Sequence, residues 1–181
     1  MKPWKRIEPT QLTKVGWRTI TTKTFTLNNG QTASFEVFGK QNNRCAAVIA
    51  ITTDNKVIVA RQFRPGPEKI LDELPGGFIE PGEDPKAAAL RELGEEVGYE
   101  AGNVEYLGDF TTRDAYMQGE WHFYLATDCR KVAEQELENT EEVEIAEITI
   151  DQLIHNALHD KMTDSIAVFR AYDKLVRLKD K

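Results

Sequence analysis

The stretch Gly76–Glu100, "GGFIEPGEDPKAAALRELGEEVGYE", decides how the rest of the chain is read. Its second half has the signals of a helix. Asp84 suits the N-cap, Pro85 the first helical position, and Gly98 the stop. Between them "KAAALREL" propagates the helix, and Leu90, Leu93 and Val97 recur as one apolar stripe. Glu92, Glu95 and Glu96 lie together, away from that stripe. Like charges three and four residues apart weaken a helix by about 0.2–0.5 kcal/mol per pair. Arg91 precedes Glu95 by four residues and can pair with it. Gly94 costs a further ~1 kcal/mol against alanine, which suggests a close neighbour there. Two readings stay open from the helix alone. The glutamates form a solvated acidic face, or they wait for a hard divalent cation. Oxygen ligands suit Mg²⁺, and the i, i+4 spacing lets Glu92 and Glu96 reach one ion from the same side.

On either side of this helix the chain alternates between strands and turns. Residues 17–27 and 31–38 read as a β-hairpin around "NNG" (28–30). "CAAVIAI" (45–51) and "KVIVARQF" (56–63) are strands joined by a polar turn, and a proline- and glycine-rich loop is expected over 64–77. Segments 104–111, 120–127 and 143–150 read as strands, and 151–158 and 164–178 as helices. The pattern predicts an α/β domain with helices on both faces of a sheet. A β-rich appendage over about 1–40 packs on it or on a second subunit.

Bulk properties narrow the function. The chain has 181 residues, 40% of them hydrophobic and 29% charged, enough for one real core. A net charge of −7 argues against non-specific binding to a nucleic-acid backbone. The apolar runs are far too short to cross a bilayer. The opening "MKPWKRIEPTQ" has no apolar region behind its basic residues, so no secretory signal is expected. Cys45 and Cys129 lie in apolar segments without ligand spacing and read as buried, reduced thiols of a cytoplasmic protein. In "HNALH" (155–159), Asn156 stands where a zinc protease needs glutamate, and no Gly-x-Ser-x-Gly elbow exists.

The spacing around the acidic helix resembles the Nudix hydrolase signature. Gly77, Glu83, Arg91, Glu92, Glu95, Glu96 and Gly98 match every fixed position of the 23-residue box from Gly77 to Tyr99. Leu93 fills one hydrophobic position, and Tyr99 fills the last with an aromatic side chain. The resemblance extends more loosely over about 45–150. It implies an α/β/α sandwich with a mixed central sheet over 41–181, and a small N-terminal antiparallel sheet over 1–40. It also implies Mg²⁺-dependent hydrolysis of a nucleoside diphosphate linked to another moiety, with Mn²⁺ as substitute. By position, Glu92, Glu95, Glu96 and the Gly76 carbonyl become metal ligands, and Arg91 and Glu83 orient them. Gly77 and Gly98 keep structural places in the box.

"ARQFRPG" and "LDELPGG" resemble the branch that acts on ADP-ribose and nucleoside diphosphate sugars. That resemblance implies Arg64 as a phosphate contact and Glu73 as an acidic residue near the metals or substrate. Glu120 matches a further acidic position. The catalytic base is expected in the acidic segment 134–148, at Glu141, with Glu142 and Glu144 as alternatives. Trp4, Trp17 and Tyr116 are candidates for stacking on the nucleobase, and the N-terminal sheet for a homodimer contact. Members acting on ADP-ribose usually carry proline 16 residues beyond the box, where this chain has Ala115. That departure favours a broader or different nucleoside diphosphate sugar, with ADP-ribose pyrophosphatase as the alternative. A module that senses nucleotides without cleaving them would lack box carboxylates, and all are present.

Overall fold

The computed structural model describes residues 1–39, 43–112, 115–137 and 142–179. The chain falls into two compact units, Met1–Arg44 with Thr111–Glu120, and Cys45–Phe110 with Trp121–Lys181.

The first unit is an antiparallel sheet of β1 (Lys5–Val15), β2 (Arg18–Thr26) and β3 (Thr32–Phe38), in that order. The expected hairpin is β2–β3. Its turn closes through Gly30 at φ 83°, a conformation that glycine adopts without steric cost. β1 was not legible in the sequence. Its side chains are mostly exposed on both faces, so no apolar alternation marks it. Gln118 ties the loop before Glu120 to this sheet. Its side-chain amide donates to Thr21 Oγ1 at 3.0 Å and to the Gly39 carbonyl at 2.6 Å.

The second unit is built on an eight-stranded mixed sheet. Its main path runs β11 (Glu144–Thr149), β5 (Lys56–Arg64), β4 (Arg44–Thr52), β10 (Glu120–Lys131) and β8 (Tyr99–Glu100). Three strands join from the side: β6 (Lys69–Glu73) on β5, β7 (Gly76–Phe78) on β4, and β9 (Asn103–Thr111) on β10. β4 is buried on both faces, and the two-residue period of a strand sends its side chains alternately to two cores. Ala47, Ile49 and Ile51 pack with Leu153, Val168 and Leu175 of α2 (Ile150–Leu158) and α3 (Ser165–Lys179). Ala46, Val48 and Ala50 pack with Ala88, Leu93 and Val97 of α1 (Pro85–Val97). Helices thus cover both faces, the α/β/α arrangement expected.

β6 corrects the reading of 64–77 as loop. The prolines that suggested a loop are confined to its edges, Pro65 and Pro67 in the turn after β5 and Pro75 after β6. The residues between them pair antiparallel with β5, Gln62 opposite Leu71 and Arg64 opposite Lys69. The α2–α3 connection is laced to the other side of β6. The Asp72 N–H donates to the Lys161 carbonyl at 3.0 Å, and the Thr163 N–H to the Asp72 carbonyl at 3.2 Å. Asn156 Nδ2 reaches Asp72 Oδ2 at 2.8 Å.

Candidate active site

The acidic helix begins and ends where its local chemistry says. Asp84 Oδ1 accepts from the N–H groups of Lys86 and Ala87 at 3.0 and 3.2 Å, a cap worth about 1 kcal/mol. Gly98 closes the helix in the left-handed conformation at φ 73°, its N–H on the Gly94 carbonyl. The close neighbour expected at Gly94 is not there: among the described residues a Cβ at 94 would meet nothing within 4 Å. The tight glycines are the two before the helix. A Cβ on Gly76 would lie 2.7 Å from the Ala47 Cα, and one on Gly77 would strike the Glu92 carboxylate. So the bare backbone of β7 lets the carboxylates of α1 approach it. The contact is made at Glu96, whose Oε2 accepts the Gly76 N–H at 2.9 Å.

Arg91 organises the cluster. Its guanidinium donates to Glu83 Oε1 at 3.0 Å, Glu92 Oε1 at 2.9 Å, Glu95 Oε2 at 2.8 Å and the Phe78 carbonyl at 3.1 Å. The hydrogen bond from Arg91 holds the Glu83 carboxyl below its ordinary pKa, and the same partners push Arg91 further up. One cation thus meets three carboxylates, and Glu96 turns instead to the β7 backbone. Glu92 and Glu96 present hard oxygen donors beside the Gly76–Gly77 backbone, a donor type that suits a divalent cation such as Mg²⁺, and Glu95 is held by Arg91.

The start of the acidic segment is pinned beside this helix. The Glu136 N–H donates to the Glu95 carbonyl at 2.8 Å. Gln135 Nε2 bridges the Glu96 carbonyl at 2.7 Å and the Val143 carbonyl at 3.3 Å. Gln135 was missed in the sequence, because nothing in an acidic run marks the one amide that spans it. Glu141 lies outside the described residues. Glu142 is exposed. Glu144 is exposed too and accepts from Arg61 Nη1 at 3.4 Å.

Arg64 and Glu73 form a bidentate ion pair across β5 and β6, with Glu73 buried and Arg64 half-exposed. They border a cavity of about 310 Å³ walled by Phe110, Trp121 and Phe123. Asp164, at the start of α3, lines the same cavity. Its Oδ2 accepts the Leu74 N–H at 3.1 Å and the Thr163 hydroxyl at 2.8 Å. Burial pushes the Asp164 carboxyl up to about 6, and Glu73 adds to the shift. Sequence reasoning missed Asp164, whose partner Leu74 is 90 residues away.

Glu120, Trp4, Trp17 and Tyr116 belong to the first unit. Glu120 meets Arg44 at 3.8 Å. Trp4 stacks on Phe35 with ring centroids 5.7 Å apart. Trp17 is 78% exposed beneath Arg18, and Tyr116 is exposed. Cys45 and Cys129 are free and buried, and burial pushes both thiols up to about 11, away from reactive thiolate character.

Comparison with known proteins points the same way as the box. The NUDIX domain family profile matches residues 42–170. A methanol dehydrogenase activator of Bacillus methanolicus is 37% identical over 143 residues, 78% of this chain and 76% of the relative. An ADP-ribose pyrophosphatase of Bacillus subtilis (strain 168) is 33% identical over 146 residues, 80% of this chain and 75% of the relative. Among solved structures, an ADP compounds hydrolase superposes with a TM-score of 0.79 at 20% identity, covering 97% of this chain and 96% of its own. That likeness speaks for the fold.

Proposed function

This chain belongs to the NUDIX family and is a pyrophosphohydrolase of the ADP-ribose pyrophosphatase type, and from that premise we propose that it hydrolyses nucleoside diphosphate sugars with Mg²⁺. The products are a nucleoside monophosphate and a sugar phosphate. The observation that carries the reading is that Glu92 and Glu96 lie against the Gly76–Gly77 backbone while Arg91 holds Glu92 and Glu95 on the same helix.

Glu92, Glu95 and Glu96, with the Gly76 carbonyl, would hold the cation, and Mn²⁺ would substitute for it. A bound divalent cation supplies neutralisation of the pyrophosphate and of the charge that develops on phosphoryl oxygens. The residues' own work is positional. Arg91 keeps Glu92 and Glu95 from repelling each other, and Glu83 fixes Arg91. Glu96 locks β7 to α1. Arg64, half-exposed beside Glu73, meets a phosphate. Glu120 supports the metal site, and Trp4, Trp17 and Tyr116 offer stacking surfaces for the base. The proton of the attacking water passes to a carboxylate of the acidic segment, Glu141, Glu142 or Glu144. The two anchors at Gln135 and Glu136 support that assignment, since they hold the segment's start against Glu95 and Glu96. Residues 1–40 act as a dimerisation element of a homodimer and 41–181 as the catalytic domain, in the cytoplasm.

Relatives named for ADP-ribose keep that compound in the substrate class. Ala115 favours breadth beyond it. The test is a panel of nucleoside diphosphate hexoses, ADP-ribose, dinucleotides and nucleoside triphosphates with Mg²⁺, with products identified in ¹⁸O-labelled water. Cleavage of the sugar compounds to a monophosphate and a sugar phosphate is expected. Turnover confined to triphosphates, or none on any member, would refute the reading.

A further inference from the structure

The cavity beside Arg64 is walled by aromatic rings, and its other polar lining comes from Glu73, Thr163 and Asp164. Trp121 and Phe123 present parallel rings, 6.1 Å apart and 11° from coplanar, from one face of β10. Asp164 lines the same cavity. Both of its hydrogen bonds fall on Oδ2, so among the described residues Oδ1 accepts nothing. The Thr163 hydroxyl lines the cavity beside it, and Arg64 with Glu73 closes the rim. At about 310 Å³ the space lies at the small end of ligand pockets, suited to one ring rather than a whole dinucleotide.

An apolar floor under an unengaged carboxylate oxygen selects a particular ring chemistry. A sugar ring offers C–H faces to an aromatic surface and hydroxyl donors along its edge. A nucleobase edge mixes donors with ring nitrogens or carbonyls, whose lone pairs would face the carboxylates. The cavity also lies beside the proposed chemistry. Leu74, held by Asp164, is two residues before Gly76, held by Glu96. Arg64, paired with Glu73, borders the cavity that Asp164 lines. A diphosphate passing Arg64 would leave its sugar in this cavity.

We propose that this cavity binds the sugar moiety of the substrate, with Asp164 Oδ1 accepting a ring hydroxyl and Trp121 lying under the ring. The assignment rests on the functional reading above, and it makes Asp164 a specificity-determining residue. Two measurements test it. In the first, kcat/KM is compared for ADP-ribose and for the β-methyl ester of ADP, which keeps the pyrophosphate but has no sugar hydroxyls there. Asp164→Ala should lower the ratio of the two by about tenfold to a hundredfold, the loss of one hydrogen bond to a charged group. Asp164→Asn, which keeps an acceptor for the Leu74 N–H, should lower it in the same direction. An unchanged ratio in both variants would overturn the proposal. The second measurement needs no turnover. The Trp121 indole N–H resonance, identified by its loss in Trp121→Phe, is followed while ribose 5-phosphate or AMP is added to the wild-type protein. The sugar phosphate should shift it and AMP should not. A shift with AMP, alone or together with one from the sugar phosphate, would show that the cavity does not single out the sugar phosphate, and no shift with either would leave the cavity without a sugar; each overturns the proposal. If the substrate panel fails but the sugar phosphate still shifts Trp121, the reaction has been misread and the pocket has not.

Discussion

Replacing Asp164 by asparagine should stabilise the protein, and only above a defined pH. The carboxyl ordinarily titrates near 3.8 and is pushed up to about 6 in the fold, first by burial and then by Glu73, against the pull of Arg64, Thr163 and the Leu74 N–H. A carboxyl whose pKa rises on folding favours the folded state fully below its unfolded value. That contribution is lost as pH climbs through the folded value. From 3.8 to about 6, at about 1.4 kcal/mol per pH unit, the ionised side chain subtracts up to about 3 kcal/mol. Asparagine does not ionise and keeps an oxygen for Leu74. The stability difference between variant and wild type should therefore rise between pH 4 and pH 7, by as much as ~3 kcal/mol, and level off above. Urea unfolding of both proteins at pH 4, 5, 6, 7 and 8 measures it. Titrating groups common to both cancel in the difference. A difference that stays flat across this range would show that Asp164 is not held in a desolvated setting, and the reasoning would fall.

Three further outcomes follow from the box. Gly77→Ala pushes a methyl into the Glu92 carboxylate and should weaken Mg²⁺ binding by about 10- to 100-fold, the usual scale for disturbing a ligand's support; calorimetric titration with unchanged affinity would contradict it. Arg91→Ala removes the cation shared by Glu83, Glu92 and Glu95 and should cost about 1–3 kcal/mol, less in saturating Mg²⁺. Urea midpoints with and without the ion read it, and equal losses in both would count against a cation on these glutamates. Asp84→Ala should cost about 1 kcal/mol through the lost cap and lower the thermal midpoint with little effect on KM.

The box helix was legible because its signals are local. Asp84, Pro85 and Gly98 each act on the nearest turn, and each does in the structure what its chemistry requires. The two-faced core was legible for the same reason, since burial of both faces of β4 writes an uninterrupted apolar run. β6 was hidden because proline and glycine dominate its surroundings and only pairing with β5 makes it a strand. β1 was hidden because little of it is buried. Gly94 misled, since the helix penalty it carries has no packing counterpart, whereas Gly76 and Gly77 carry the steric requirement. Asp164 and Gln135 could not be singled out at all. Their importance comes from partners 90 and 39 residues away, which no local pattern records.

On the proposed function, the glutamates of α1 are completed by a divalent cation to cleave a sugar-linked pyrophosphate. Glu96→Gln tests it most directly, because glutamine retains an oxygen for the Gly76 N–H but loses the charge a cation needs. Hydrolysis of the best sugar substrate should depend on Mg²⁺ in the wild-type protein. It should fall at least about a hundredfold in the variant, the scale on which one essential electrostatic group is felt, with the unfolding midpoint kept. Wild-type turnover by Glu96→Gln in the same Mg²⁺ would contradict the account.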